Sequence, residues 1–268
     1  MNLLVRPRPG PAADGTLLRV TPESAGWHHV GFEVCRLARG ESLTRDTSGR
    51  ELCAVLLSGR ADLSFAGQEW PDVGRREHVF DGPPHALHLP PGGSLTAVAT
   101  TPVLELALCW APAESGVDPV LITPADVPVS TRGAGVTERE IRDVLMEDRP
   151  AATLLVTEVV TPAGHWSSWP PHKHDTDDQP REAYLEETYY HRLRRPGGFA
   201  VQRIYDQERT LDQTLAVGDG EVVLVPRGYH PVSATPGYDL YYLNVMAGPV
   251  RRWLVTVDPA HHWQVASL

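Results

Sequence analysis

The sequence predicts an all-β protein built from two tandem β barrels, and three observations predict it. Helical periodicity is scarce along the chain. Short β-type runs recur between Gly/Pro turns, the spacing of a sandwich or barrel. A length of 268 residues, with 25 Pro and 23 Gly, suits two units of about 100–150 residues each. The halves also share a passage. Asp81-Gly-Pro-Pro-His85 with Leu89-Pro-Pro-Gly92 echoes Gly220-Glu-Val-Val-Leu-Val-Pro226-Arg-Gly228-Tyr-His230.

Each half reads as its own series of strands. The runs ELCAVLLSG, ALHLP, SLTAVAT and VLELALCW place a first barrel in residues 1–110. Residues 111–149 read as a linker, poor in apolar periodicity up to Gly135. Inside it a short helix is expected over 138–147: Thr137 and Glu140 form a Thr-x-x-Glu capping pattern, Ile141, Val144 and Leu145 share a face, and Pro150 lies just past the end. The runs ATLLVTEVV, LEETYYHRL, FAVQRIY, EVVLVP and DLYYLNVMA then place a second barrel in residues 150–268.

Composition excludes several classes of function. Lys plus Arg is 24 against 34 Asp plus Glu, a formal charge of −10, and no basic stripe offers a surface to nucleic acid. Lys173 is the sole lysine and lies between two histidines, which leaves little room for Schiff-base chemistry. No window approaches 18 uninterrupted apolar residues, so no membrane-spanning helix is expected. The opening MNLLVRPRPGPAADG has only a short apolar run before Arg6, so no signal peptide is expected. Cys35, Cys53 and Cys109 lack metal-type spacing and read as buried thiols of a reducing compartment, which points to the cytoplasm.

The chemistry concentrates in the second half. Pro170-Pro-His172-Lys-His174-Asp presents two histidines at i and i+2, which share one face of an extended strand, with Lys173 on the other. Adjacent imidazoles chelate a divalent cation, although such a pair also occurs as surface polarity. In Leu185-Glu-Glu-Thr-Tyr-Tyr-His191-Arg the period-2 set Glu187, Tyr189 and His191 would face the same interior. A later strand ends in the turn Pro226-x-Gly228-x-His230, which delivers one more histidine unless His230 merely caps the turn. Two histidines, one carboxylate and a late histidine are the ligand set of a cupin barrel.

The runs Trp166-Ser-Ser-Trp-Pro-Pro-His172-Lys-His174-Asp175, Leu185-Glu-Glu-Thr-Tyr-Tyr-His-Arg192, Val225-Pro-Arg-Gly-Tyr-His-Pro231 and Gly237-Tyr-Asp-Leu-Tyr-Tyr-Leu-Asn-Val-Met-Ala-Gly-Pro249 closely resemble the 5-deoxy-glucuronate isomerase family of inositol catabolism. That family is a bicupin related to the uronate ketol-isomerases of pectin breakdown. The resemblance is dense over about 150–253 and looser before it. It implies a metal at His172, His174, Glu187 and His230, with Zn²⁺ expected and Mn²⁺ or Fe²⁺ as alternatives. The stretch from His174 to Glu187 is longer than in ordinary cupins, and one residue rather than two separates Gly228 from His230. Glu186 and Glu187 face opposite ways; alignment of Glu-x-Tyr-aromatic to the pectin relatives selects Glu187. Where the family shows Gly-Asn before an arginine, this chain has Gly135-Val136 and keeps Arg139.

The activity implied is an aldose–ketose isomerisation of 5-deoxy-D-glucuronate to 5-dehydro-2-deoxy-D-gluconate, a small anionic sugar acid being the partner. An Fe²⁺ cupin dioxygenase and a non-enzymatic sugar-binding bicupin are the rival readings. Oligomeric state stays open. His191 and Tyr189 are the candidates for proton transfer, each with a packing role as its alternative. Arg203, in phase with Val201 and Tyr205, is expected to point into the barrel and clamp the substrate carboxylate, or else to pair with Glu158 or Glu187. Arg227 and Tyr205 are further substrate-binding candidates. The first barrel holds Glu51, His78, His85 and His88 in no ligand order and is expected to carry no metal. Asp175, Asp177 and Asp178 read as a solvated loop.

Overall fold

The computed structural model describes residues 2–265. The chain divides into two compact units, one of residues 1–6, 129–142 and 157–268, the other of residues 7–128 and 143–156. Each contains a pair of antiparallel β-sheets, as the turn-punctuated sequence predicts. The fold is nearly all β.

In the unit holding residues 7–128 a six-stranded sheet runs Val120–Ile122, Ala86–Leu89, Arg50–Ser58, Val103–Pro112, Gly31–Ala38, Thr16–Val20 in spatial order. A four-stranded sheet of Ser42–Asp46, Ser94–Ala99, Ala61–Phe65 and Gln68–Val73 accompanies it. Alternate residues of both sheets, among them Leu37, Leu52, Leu56, Leu63, Leu95 and Leu106, form one apolar core. Glu51 and His88 are polar and buried within this unit, and they act as a structural link. Glu51 meets His88 Nε2 at 2.9 Å and accepts the amides of Ala152, Thr153 and Leu154, which ties residues 152–154 down.

The other unit carries the predicted chemistry. Its large sheet runs Leu4–Val5, Val222–Val225, Glu186–Leu193, Leu240–Ala247, Leu155–Thr161, Arg139–Leu145, Val129–Arg132. Its smaller sheet runs Trp166–Ser167, Val232–Ala234, Ala200–Tyr205, Asp212–Val217. A two-stranded ladder pairs His172 with Val257 and Lys173 with Thr256.

Two expectations about organisation are corrected. The linking helix over 138–147 does not form: Arg139–Leu145 is a strand, paired with Val129–Arg132. Thr137 does close a turn, but a 3-10 turn over Gly135–Thr137 that ends where the helix would begin. The strand prevails because it turns Arg142 inward, where it is buried and meets Glu158 Oε2 at 3.3 Å, while Ile141, Val144 and Leu145 are still buried. A helix would put Arg142 on the polar face, and tertiary pairing overrides that local preference. The boundaries at 110 and 150 also differ from the units observed. Leu4 and Val5 pair with Val223 and Val222 of the second half, and Val120–Ile122 pairs back onto Ala86–His88 of the first.

Candidate metal centre

The Glu186–Leu193 strand sets the site. Its antiparallel partner aligns Glu187 with Met246, Tyr189 with Asn244 and His191 with Tyr242. Alternation sends Glu187, Tyr189 and His191 to one buried face, in line with the period-2 pattern. Glu186 faces the other way and is engaged with Tyr184.

His174, Glu187 and His230 come together: one ligand atom from each lies within 4.8 Å of the others, and all three residues are buried. Glu187 Oε2 is 3.0 Å from His174 Nε2 and 3.2 Å from His230 Nε2, while Oε1 accepts the Asn244 amide. His230 Nε2 makes no hydrogen bond despite that short approach, so a buried lone pair stands open. His172 stands beside the cluster, its ring edge-on to His230 at 5.1 Å between centroids.

The imidazole orientations are set from behind. His172 Nδ1 faces Pro170 O at 3.2 Å, His174 Nδ1 faces Leu185 O at 3.0 Å and His230 Nδ1 faces Gly228 O at 2.8 Å. A carbonyl only accepts, so each Nδ1 carries the hydrogen and each Nε2 is left as the donor atom for a cation. Burial, the neighbouring His174 and Arg139 hold His172 at about 4, and burial with the other two histidines holds His230 well below its ordinary value. Burial opposes the charged form of His174 too, but the Glu187 carboxylate outweighs it and raises that group. The donor set, the open lone pair and the orientation of Nε2 all fit a divalent ion of N/O preference.

Asp175 is not a solvated loop residue. It pairs with Lys173, and its Oδ2 accepts Gly228 N–H at 2.7 Å, which anchors the turn that carries His230. Around the cluster, the Tyr189 hydroxyl bonds Ser168 Oγ at 2.9 Å and Tyr242 bonds Ser167. Tyr189 lies 5.7 Å from His230 and 6.1 Å from His191, ring to ring. His191 is buried, with Nδ1 on Tyr189 O at 3.1 Å and Nε2 without a partner; burial brings it to about 4.

The three substrate-binding candidates are not at the cluster. Arg203 points outward and is held by Asp212 through two bonds, Nε–Oδ1 at 2.8 Å and an N–H to Oδ2 at 2.7 Å. The inward residues of its strand are Ala200, Gln202 and Ile204. Tyr205 misleads the phase because its ring is covered by Arg203 and Arg209, stacked on it at 4.6 and 4.0 Å. The Tyr205 hydroxyl donates to Asp258 at 2.7 Å. Arg227 is half-exposed and meets Asp206 Oδ2 at 3.2 Å. Asn244 and Gln202, both buried in this unit, escape sequence reasoning, because an amide inside a strand carries no spacing signal. Arg139 stands out in the sequence only as a retained position, with no role attached to it.

The wider resemblance agrees with this geometry. The 5-deoxy-glucuronate isomerase of Geobacillus kaustophilus (strain HTA426) is 50% identical over 268 residues, 100% of this chain and 97% of that protein. The enzyme of the same name from Bacillus subtilis (strain 168) is 39% identical over 265 residues, 97% of each. The crystal structure of an IolB-like protein from Salmonella typhimurium LT2 superposes with a TM-score of 0.94 at 44% identity, over 98% of this chain and 99% of that one. Oxalate decarboxylase of Lactobacillus farciminis, at 13% identity and a TM-score of 0.63 over 100% and 91% of the two chains, shares the cupin fold alone. The KduI/IolB family matches residues 3–264, a span that takes in both units, the His174–Glu187–His230 cluster and its supporting carbonyls, and the chain belongs to that family.

Proposed function

We propose that this protein is a metal-dependent 5-deoxy-glucuronate isomerase, converting 5-deoxy-D-glucuronate to 5-dehydro-2-deoxy-D-gluconate. The observation that carries the metal is the turning of three imidazoles by backbone carbonyls, which leaves Nε2 of His174 and His230 facing the Glu187 carboxylate. His174, Glu187 and His230 would hold one divalent ion, with His172 alongside to complete the set. Such an ion, Zn²⁺ first and Mn²⁺ or Fe²⁺ as alternatives, supplies Lewis-acid polarisation of the sugar carbonyl without redox change.

The protein's own groups handle the protons. Isomerisation moves one proton from C2 to C1 and another from O2 to O1. His191 is neutral, and with Nδ1–H committed to Tyr189 O its Nε2 lone pair is the acceptor. Burial and the Glu187 charge raise the Tyr189 hydroxyl well above its ordinary value, so it stays protonated as a donor. Glu187 itself is steadied by Asn244. The three free, buried cysteines support a cytoplasmic setting, and among the described residues no helix is long and apolar enough to cross a membrane.

Metal analysis with an isomerase assay on 5-deoxy-D-glucuronate tests the reading. One ion per chain, activity lost to a chelator and restored by a divalent ion, and no oxygen uptake are expected. Full activity in chelated protein would overturn the metal dependence, oxygen consumed with substrate would favour the dioxygenase, and no turnover with or without metal would favour the sugar-binding alternative.

A further inference from the structure

Two arginines oppose each other at the edge of the large sheet. Arg132 and Arg139 are cross-strand partners in the register of Val129–Arg132 against Arg139–Leu145. Like charges directly opposite in a ladder are unfavourable, so an acid beside them would be expected. Arg132 lies over the Trp253 ring at 5.4 Å, and Trp253 is edge-on to His172 at 6.1 Å. Trp253 thus stands between Arg132 and His172, and the Arg139 charge is also felt at His172.

Arg139 is the one whose charge goes unanswered. Its guanidinium donates to Thr137 O at 3.0 Å, and its buried Nε has no partner. Among the described residues no carboxylate pairs with it, whereas Arg203, Arg227, Arg45 and Arg142 each have one. Burial and Arg132 lower Arg139 from its ordinary value, and the groups that reach it include Tyr242 and Tyr189, the hydroxyls beside the cluster. A partly buried guanidinium without a counter-ion is costly. An arriving anion would remove the cost and complete the fork.

We infer that Arg139 binds the carboxylate of the sugar-acid substrate, with the Arg132 charge reinforcing it, and so takes the role that the outward, Asp212-bound Arg203 does not fill. This rests on the isomerase reading for the identity of the substrate, but the site as such is one for a small carboxylate-bearing sugar. The planar fork can take both carboxylate oxygens in parallel.

The metal-loaded protein is titrated with D-glucuronate and with uncharged D-glucose by calorimetry, and turnover of 5-deoxy-D-glucuronate is measured in parallel. The wild type should bind the uronate in preference to glucose. Arg139→Gln should weaken uronate binding and lower kcat/KM about tenfold to hundredfold, mainly through KM, the loss typical of one charge-assisted contact. Metal stoichiometry and melting temperature should hold. Arg139→Lys keeps the charge but not the fork, and should fall between the two; it decides the matter if the glutamine variant does not fold. Uronate binding and turnover unchanged in the variant that folds would overturn the inference while leaving the isomerase intact. A wild type that binds uronate through Arg139 yet never isomerises 5-deoxy-D-glucuronate would sink the functional reading and leave the carboxylate site standing.

Discussion

At the scale of single residues, the decisive feature is which nitrogen each histidine offers. Three backbone carbonyls, of Pro170, Leu185 and Gly228, face Nδ1 and so make Nε2 the nitrogen each ring offers. The same logic separates the two adjacent glutamates. Glu187 lies against His174 and His230, while Glu186 is buried on the opposite face near Tyr184. Glu187→Gln should therefore lose bound metal and with it activity, whereas Glu186→Gln should keep one ion per chain; metal analysis of the two purified variants checks this. Metal retained by the first and lost by the second would mean that the strand is registered one residue away from this arrangement.

At the scale of elements, the turn Pro226–His230 shows how backbone geometry aims a side chain. Gly228 has φ +85°, and a Cβ there would meet Tyr205 O at 2.4 Å. Its N–H is bound by Asp175 and its carbonyl orients His230, so one glycine joins three parts of the site. Gly228→Ala should cost about 1–2 kcal/mol for the left-handed backbone alone and should weaken metal binding measurably in a competition titration with a chromophoric chelator. Unchanged affinity would show that His230 does not depend on this turn. The strand Arg139–Leu145 gives the opposite lesson about local signals. Thr137, Glu140 and the Ile141/Val144/Leu145 spacing are sound helix cues, yet the segment is a strand because Arg142 finds Glu158 inside and Val129–Arg132 offers a ladder. Sequence periodicity does not record a partner supplied by a strand elsewhere in the chain.

At the scale of the molecule, the unit of residues 7–128 and 143–156 is held by buried carboxylates as well as by its apolar core. Burial would raise Glu51, but His88 and the amides of Ala152, Thr153 and Leu154 together bring it down to about 2. Because the folded value is depressed, the stabilisation is complete above the ordinary carboxylate range and fades as pH falls toward 2. The gap from 4.5 to about 2 corresponds to roughly 3 kcal/mol at neutral pH. Glu51→Gln should accordingly lower stability to denaturant at pH 7, and the difference from wild type should shrink between pH about 4.5 and 2. A difference that stays constant across that window would show that Glu51 acts through shape rather than charge.

Alternation and turn chemistry are written locally, and they make much of the molecule legible before it folds: an all-β chain of two halves, the inward set Glu187, Tyr189 and His191, and the His230 turn after Gly228. These features hold because strand alternation and glycine's access to positive φ are properties of neighbouring residues. Which arginine is claimed by a carboxylate is a different kind of question, answered by the assembled sheets. Arg203 reads as inward because it is in phase with Val201 and Tyr205, but the Tyr205 ring is covered by guanidinium groups, and Asp212 claims the charge. Arg139 reads as a helix residue, yet its segment joins a sheet, and among the described residues no carboxylate pairs with it. Charge pairing is settled between residues far apart in the chain, so the fold has to place them before their roles can be told apart.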